Sequence, residues 1–158
     1  MSSFLKGRYF STRDIGLMNS LSSELLQDII QTEVTLFKMC ADVTSTNIYG
    51  ESKGSVGKTY FPGINITCLI DRAEISTDAS DFGPDRKQNV VFKFMEQKLK
   101  EINFFPQAGD IILFNARYHQ IDDIAQEQFL SGVPEKSFSI ICNCHYTRLS
   151  SVDIVSRT

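Results

Sequence analysis

Three stretches of the sequence hold residue types that could do chemistry. Gly54-Ser55-Val56-Gly57-Lys58-Thr59 has the ending of a phosphate-cradling loop, in which backbone N–H groups and a lysine grip phosphates at a helix N-terminus. That loop requires a glycine five positions before Gly57, where Ser52 stands, and a helix after it, where Pro62-Gly63 and an alternating pattern follow. The expectation is a surface loop and no nucleotide. Cys142-Asn143-Cys144-His145 offers soft metal ligands, but Cys40 and Cys68 stand alone and supply no second pair. On a strand, Cys142 and Cys144 point one way and His145 the other, so buried thiols on a core face are expected instead of a metal site. His119 and His145 are the only histidines, and no serine, cysteine or carboxylate beside them has the setting of an activated nucleophile. Asp122-Asp123 and the acids Asp71, Glu74, Asp78, Asp81 and Asp85 lack calcium-loop spacing and read as solvated charge. The residues therefore predict no catalytic group, no metal and no cofactor: not an enzyme.

The bulk properties agree. A chain of 158 residues, 42% hydrophobic and 22% charged, suits one soluble domain with a core of its own. A net charge of -3 and a pI near 5.4 argue against a nucleic-acid coat or a membrane-surface binder, both of which need a basic stripe. Four cysteines, no apolar leader in Met-Ser-Ser-Phe-Leu-Lys-Gly-Arg and no apolar run of bilayer length predict assembly in a reducing cytoplasm.

The elements that must position these residues follow from periodicity. Residues 1–20 carry scattered apolar groups, Phe4, Leu5, Tyr9, Phe10, Ile15 and Leu17, and read as an N-terminal arm. One long amphipathic helix is predicted over 24–40, capped by Ser22, with Leu26, Ile30, Val34, Phe37 and Ala41 on the face that lies on a sheet. Ile64, Ile66, Cys68 and Ile70 then alternate as a half-buried strand. Residues 71–88 read as an exposed acidic loop, 90–94 as a strand, and 95–102 as a short helix or turn. Gly109-Asp110 opens a hairpin: 111–114, a tight turn at Asn115-Ala116-Arg117, then 118–121. Glycine permits the sharp entry, aspartate can bond the turn backbone, and Tyr118 completes the unit. Residues 126–136 read as a second loop, and Phe138, Ile140, Cys142, Cys144 and Tyr146 share one side of a last strand. The predicted fold is α+β: a small antiparallel β-barrel or sandwich with the helix packed on it. The domain spans 21–148, between the arm at 1–20 and a C-terminal tail at 149–158.

Taken in order, these segments resemble the neck, or head-closure, proteins of tailed bacteriophages of the contractile-tailed type. The resemblance runs from about Leu25 to Leu149. It comprises the helix, Asn47-Ile48-Tyr49-Gly50-Glu51, Asp81-Phe82-Gly83-Pro84-Asp85 with Gln88 and Val90-Val91-Phe92, Phe105-Pro106-Gln107-Ala108-Gly109-Asp110-Ile111-Ile112, Tyr118-His119-Gln120-Ile121, Gln128-Phe129-Leu130-Ser131-Gly132 and the strand 140–148. Larger proteins of this kind carry longer inserts and a C-terminal extension, beside which this sequence reads as a compact version.

The resemblance implies a virion protein of the head–tail interface, assembled in the host cytoplasm. It would be a homo-oligomeric ring, a hexamer or dodecamer, between the portal or connector and a tail terminator or tail-completion protein. Genomic DNA would pass through the ring without sequence-specific contact, as a net-negative subunit suits. Recognition residues concentrate on loops held by a scaffold. The expected contacts are therefore Asp78, Asp81, Phe82 and Asp85 in the first loop, Phe129 and Leu130 in the second, and Phe4, Tyr9 and Phe10 in the arm. The alternative for Phe82 and Phe129 is that both tuck back on their own domain. Competing functions are a tail terminator or tail-completion ring, then a cytosolic ligand-binding barrel, and last an enzyme.

Overall fold

A computed structural model describes residues 12–40, 58–80, 83–128, 137–147 and 152–154. The first described element is helix α1 (Thr12–Glu24), which widens into a π-helical turn over Leu25–Ile30. Gln31 ends it in the left-handed conformation, φ 51°, and its N–H donates to the Leu26 carbonyl. The helix predicted over 24–40 therefore lies earlier, and takes in the part of the expected arm from Thr12 onward. Val34, Leu36 and Phe37 instead belong to strand β1 (Glu33–Phe37), where Val34 and Leu36 are buried and Thr35 between them is not. Those apolar residues satisfy a period of two as well as one of 3.6, and β-branched Val34 and Thr35 favour the strand.

Beyond β1 come β2 (Lys58–Tyr60), β3 (Ile64–Thr67), β4 (Leu69–Ser80), β5 (Gly83–Met95), α2 (Glu96–Glu101), β6 (Ile111–Phe114), β7 (Arg117–Gln128), β8 (Ser137–Thr147) and β9 (Val152–Ile154). Seven strands form one antiparallel sheet in the order β3-β1-β6-β7-β8-β5-β4. The two edges, β3 and β4, are successive in the chain with Cys68 alone between them, so the sheet must wrap to bring its edges end to end. It does not close into a barrel. The architecture is α+β and sandwich-like.

The wrapped face holds the main core. Leu36, Ile112 and His119 are successive register partners across β1, β6 and β7. Ile121, Cys144 and Val90 line up the same way across β7, β8 and β5, and Phe92 faces Cys142 beside them. Ile66, Cys68 and Ile140 join this core, and Leu99 of α2 caps it. A second cluster sits on the opposite face, where Phe37 and Ile111 meet Tyr60, with Tyr118 and Ile154 at its margin. It is covered by β2 and β9, which pair in parallel as a separate two-stranded sheet. Part of the expected C-terminal tail is thus a strand.

Two expected loops are also strands in part. Residues 71–80 lie in β4 and 83–88 in β5, paired from Leu69↔Lys93 to Ser80↔Gly83, and 126–128 extend β7. Charge and turn-forming residues made both stretches look like loops. Cross-strand pairing engages backbone groups regardless of side-chain polarity.

Candidate functional site

Gly109 and Asp110 form the best-defined polar centre. Gly109 has φ 98°, a backbone conformation open to glycine at little cost, and its N–H donates to the Ile121 carbonyl at 2.8 Å. Asp110 is 2% exposed. Its carboxylate accepts the backbone N–H groups of Met39 (2.9 Å) and Gln107 (2.8 Å) and pairs with Lys38 Nζ at 3.0 Å. Lys38 also donates to the Phe105 carbonyl at 2.7 Å and lies 5.5 Å from the centre of the Phe104 ring. Tyr60 donates its hydroxyl to the Gly109 carbonyl at 3.3 Å, and burial together with the nearby Asp110 charge pushes its pKa up to about 12. Each oxygen of the carboxylate has a partner, so the group ties the end of β1 to the turn before β6. Tyr118 lies one hairpin away, on β7, with its ring 6.0 Å from Phe37.

The thiols and histidines separate as strand alternation requires. Cys142 and Cys144 are buried in the main core, and burial pushes the Cys142 and Cys68 thiols up to about 12 and Cys144 higher still. Such burial disfavours the thiolate at neutral pH. His145 faces the other way, its Nδ1 2.7 Å from the Asp122 carboxylate at a bulge in β7. Among the described residues no three His, Cys, Asp or Glu side chains gather as a metal site. Lys58 and Thr59 lie in β2, not at the start of a helix, so they do not hold the phosphate-loop geometry. His119 is 1% exposed, with Phe92 and Tyr146 ring centres at 5.8 and 6.3 Å and no partner for Nδ1 among the described residues. Burial, then the charges of Arg117 and His145, push its pKa down to about 4. It is a neutral core residue.

What remains is surface. Along the helix, Leu17, Met18, Leu21, Leu25 and Ile29 are 46–72% exposed and fall within one arc. Toward the sheet, Leu26 and Ile30 line an apolar cavity of about 180 Å³ with Leu69, Phe94, Met95 and Phe138, and half-exposed Leu25 reaches it from the edge of the ridge. A second exposed patch holds Phe61 and Phe105, 48% and 53% exposed, flanking an open groove of about 460 Å³ with Pro62 and Ile64. The third feature is a ribbon. β5 meets β8 only over residues 89–95, so the pairs from Ile75↔Gln88 to Ser80↔Gly83 have no third strand among the described residues.

Of the residues expected to make contacts, Asp78 and Asp85 are register partners in that ribbon. Phe4, Tyr9, Phe10, Asp81, Phe82, Phe129 and Leu130 lie outside the described residues. Sequence reasoning missed the exposed helical ridge. Its signal was present in the four-residue spacing Leu17-Leu21-Leu25-Ile29, which a helix begun at Ser22 cuts in half. It also missed Phe61 and Phe105, because single aromatics carry no mark of exposure. No protein-family model matches the chain, and no curated protein matches it. No helix among the described residues is long and apolar enough to cross a membrane.

Proposed function

We propose that this chain is a structural protein of the tailed-phage virion, a neck subunit. It forms a ring between portal or connector and tail, closes the DNA-filled head and offers the surface on which the tail docks. The observation that carries the reading is the ribbon of β4 and β5. Its six pairs from Ile75↔Gln88 to Ser80↔Gly83, about 20 Å at the usual strand rise, have no third strand among the described residues. A two-stranded ribbon gains little stability alone in water, and among the described residues no strand pairs with either of its edges. Such a ribbon suits a subunit whose partners complete it. The wrapped sheet behind it is a rigid scaffold, and the order of segments along the chain is that of the neck proteins it resembles. A tail terminator or tail-completion ring shares these properties and differs in its position in the particle.

Mass spectrometry of purified particles tests the reading. The protein is expected at ring stoichiometry, with antibody label at the head–tail junction. Recovery from the soluble lysate alone, with none in particles, would overturn it. Particles made without the protein should be filled heads lacking tails. Phe129→Ala should block tail attachment while leaving the subunit folded.

A further inference from the structure

We infer that the exposed ridge of the helix docks into the Phe61–Phe105 groove of a second copy of this chain, head to tail. The inference deepens the ring reading and rests on it. A closed ring of identical subunits needs two different, mutually complementary faces on each copy. The described residues present two such faces, one convex and one concave. Leu17, Met18, Leu21, Leu25 and Ile29 stand out along four turns of helix, spaced as the i, i+4 ridge that packs into grooves. Phe61 and Phe105 flank the groove, with Pro62 and Ile64 along it.

Area and charge both favour this pairing. The five ridge side chains expose on the order of 500 Å² of apolar surface, near the upper limit for a monomer's largest patch. A stable interface buries roughly 800 Å² per partner, so the ridge and its polar margins supply most of one side. Aromatic residues such as Phe61 and Phe105 are the usual anchors of the facing side. The helix carries Asp14, Glu24 and Asp28 against a single base, Arg13, and has no basic residue in its last turn. The groove lining holds one charged side chain, Lys38, and no acid. Lys38 is itself paired with the buried Asp110, so the acidic ridge meets a groove whose lining holds no acid to repel it. Two ridges set against each other would instead bring acids together.

Complementary disruption tests the pairing. One variant carries Leu17→Glu with Leu21→Glu, and the other Phe61→Glu with Phe105→Glu. All four side chains are at least 46% exposed, so both variants should keep the wild-type circular dichroism spectrum and melting temperature. Wild type should self-associate in sedimentation velocity, and each variant alone should associate at least tenfold more weakly. Mixed in equal amounts, the variants should form a heterodimer and nothing larger, because one intact ridge meets one intact groove. A mixture that stays monomeric while wild type associates overturns the pairing, as does a wild type that remains monomeric at the highest concentration reached. Neither result touches the ring reading, which stands or falls on the presence of the protein at the neck of purified particles.

Discussion

At the scale of single residues, two buried polar groups shape the stability of the chain. Asp110 joins two backbone N–H groups and Lys38 around a carboxylate that is 2% exposed. Asp110→Ala removes the acceptor and leaves the lysine and both donors to find water. The expected loss is about 2–4 kcal/mol, read as a lower urea midpoint with unchanged slope. His119 acts through protons. Its pKa is about 4 in the folded chain, against 6.5 for the unperturbed imidazole that unfolding restores. Between those values the unfolded state binds the proton that the folded state refuses. Stability should therefore be intact above pH 6.5 and fall as pH drops toward 4, by about 3 kcal/mol at most. His119→Phe should remove that part of the loss when urea unfolding is compared at about pH 7 and about pH 4.5. An unchanged pH dependence would show that other groups carry the acid sensitivity.

At the scale of elements, the β6–β7 hairpin shows how local sequence and tertiary demand trade off. Its two-residue turn places Asn115 at φ 48° and Ala116 at φ 59°, as a type I′ turn requires. Asparagine accepts that conformation, whereas alanine is strained by its Cβ. Ala116→Gly should therefore stabilise the chain by roughly 0.5–1 kcal/mol, because relief of strain outweighs the added freedom of the unfolded state. A raised urea midpoint is the readout. The π-helical turn at Leu25–Ile30 tells a similar story: none of its residues is buried, so the sheet below does not hold it in tight packing.

At the scale of the whole molecule, the last strand tests which architecture is real. β9 pairs with β2, and Ile154 packs at the margin of the Phe37–Tyr60–Ile111 cluster. A chain ending at Arg148 loses that strand and uncovers the outer core. The expected cost is about 2–3 kcal/mol of buried apolar surface, seen as a lower melting temperature and an earlier urea transition. Were residues 149–158 a free tail, truncation would leave both unchanged.

Much of the main core was legible along the chain. The alternation in Ile64-Ile66-Cys68-Ile70 and in Ile140-Cys142-Cys144 marks inward faces that any sheet must bury, and the Gly109-Asp110 turn follows from what glycine and aspartate can do locally. Periodicity also separated His145 from the two thiols. The position of the helix was not legible, because Val34, Leu36 and Phe37 satisfy helix and strand periods alike. Only pairing of β1 with β3 and β6 decides between them. Likewise, nothing in an acidic run such as 71–80 announces a strand, since cross-strand hydrogen bonds come from the backbone of residues 83–93. The sequence by itself determined the chemistry of this protein: deep thiols, two separated histidines and a glycine–aspartate turn. The tertiary structure decided which apolar residues stay outside, because exposure of the Leu17–Ile29 ridge depends on which side of the helix the sheet covers.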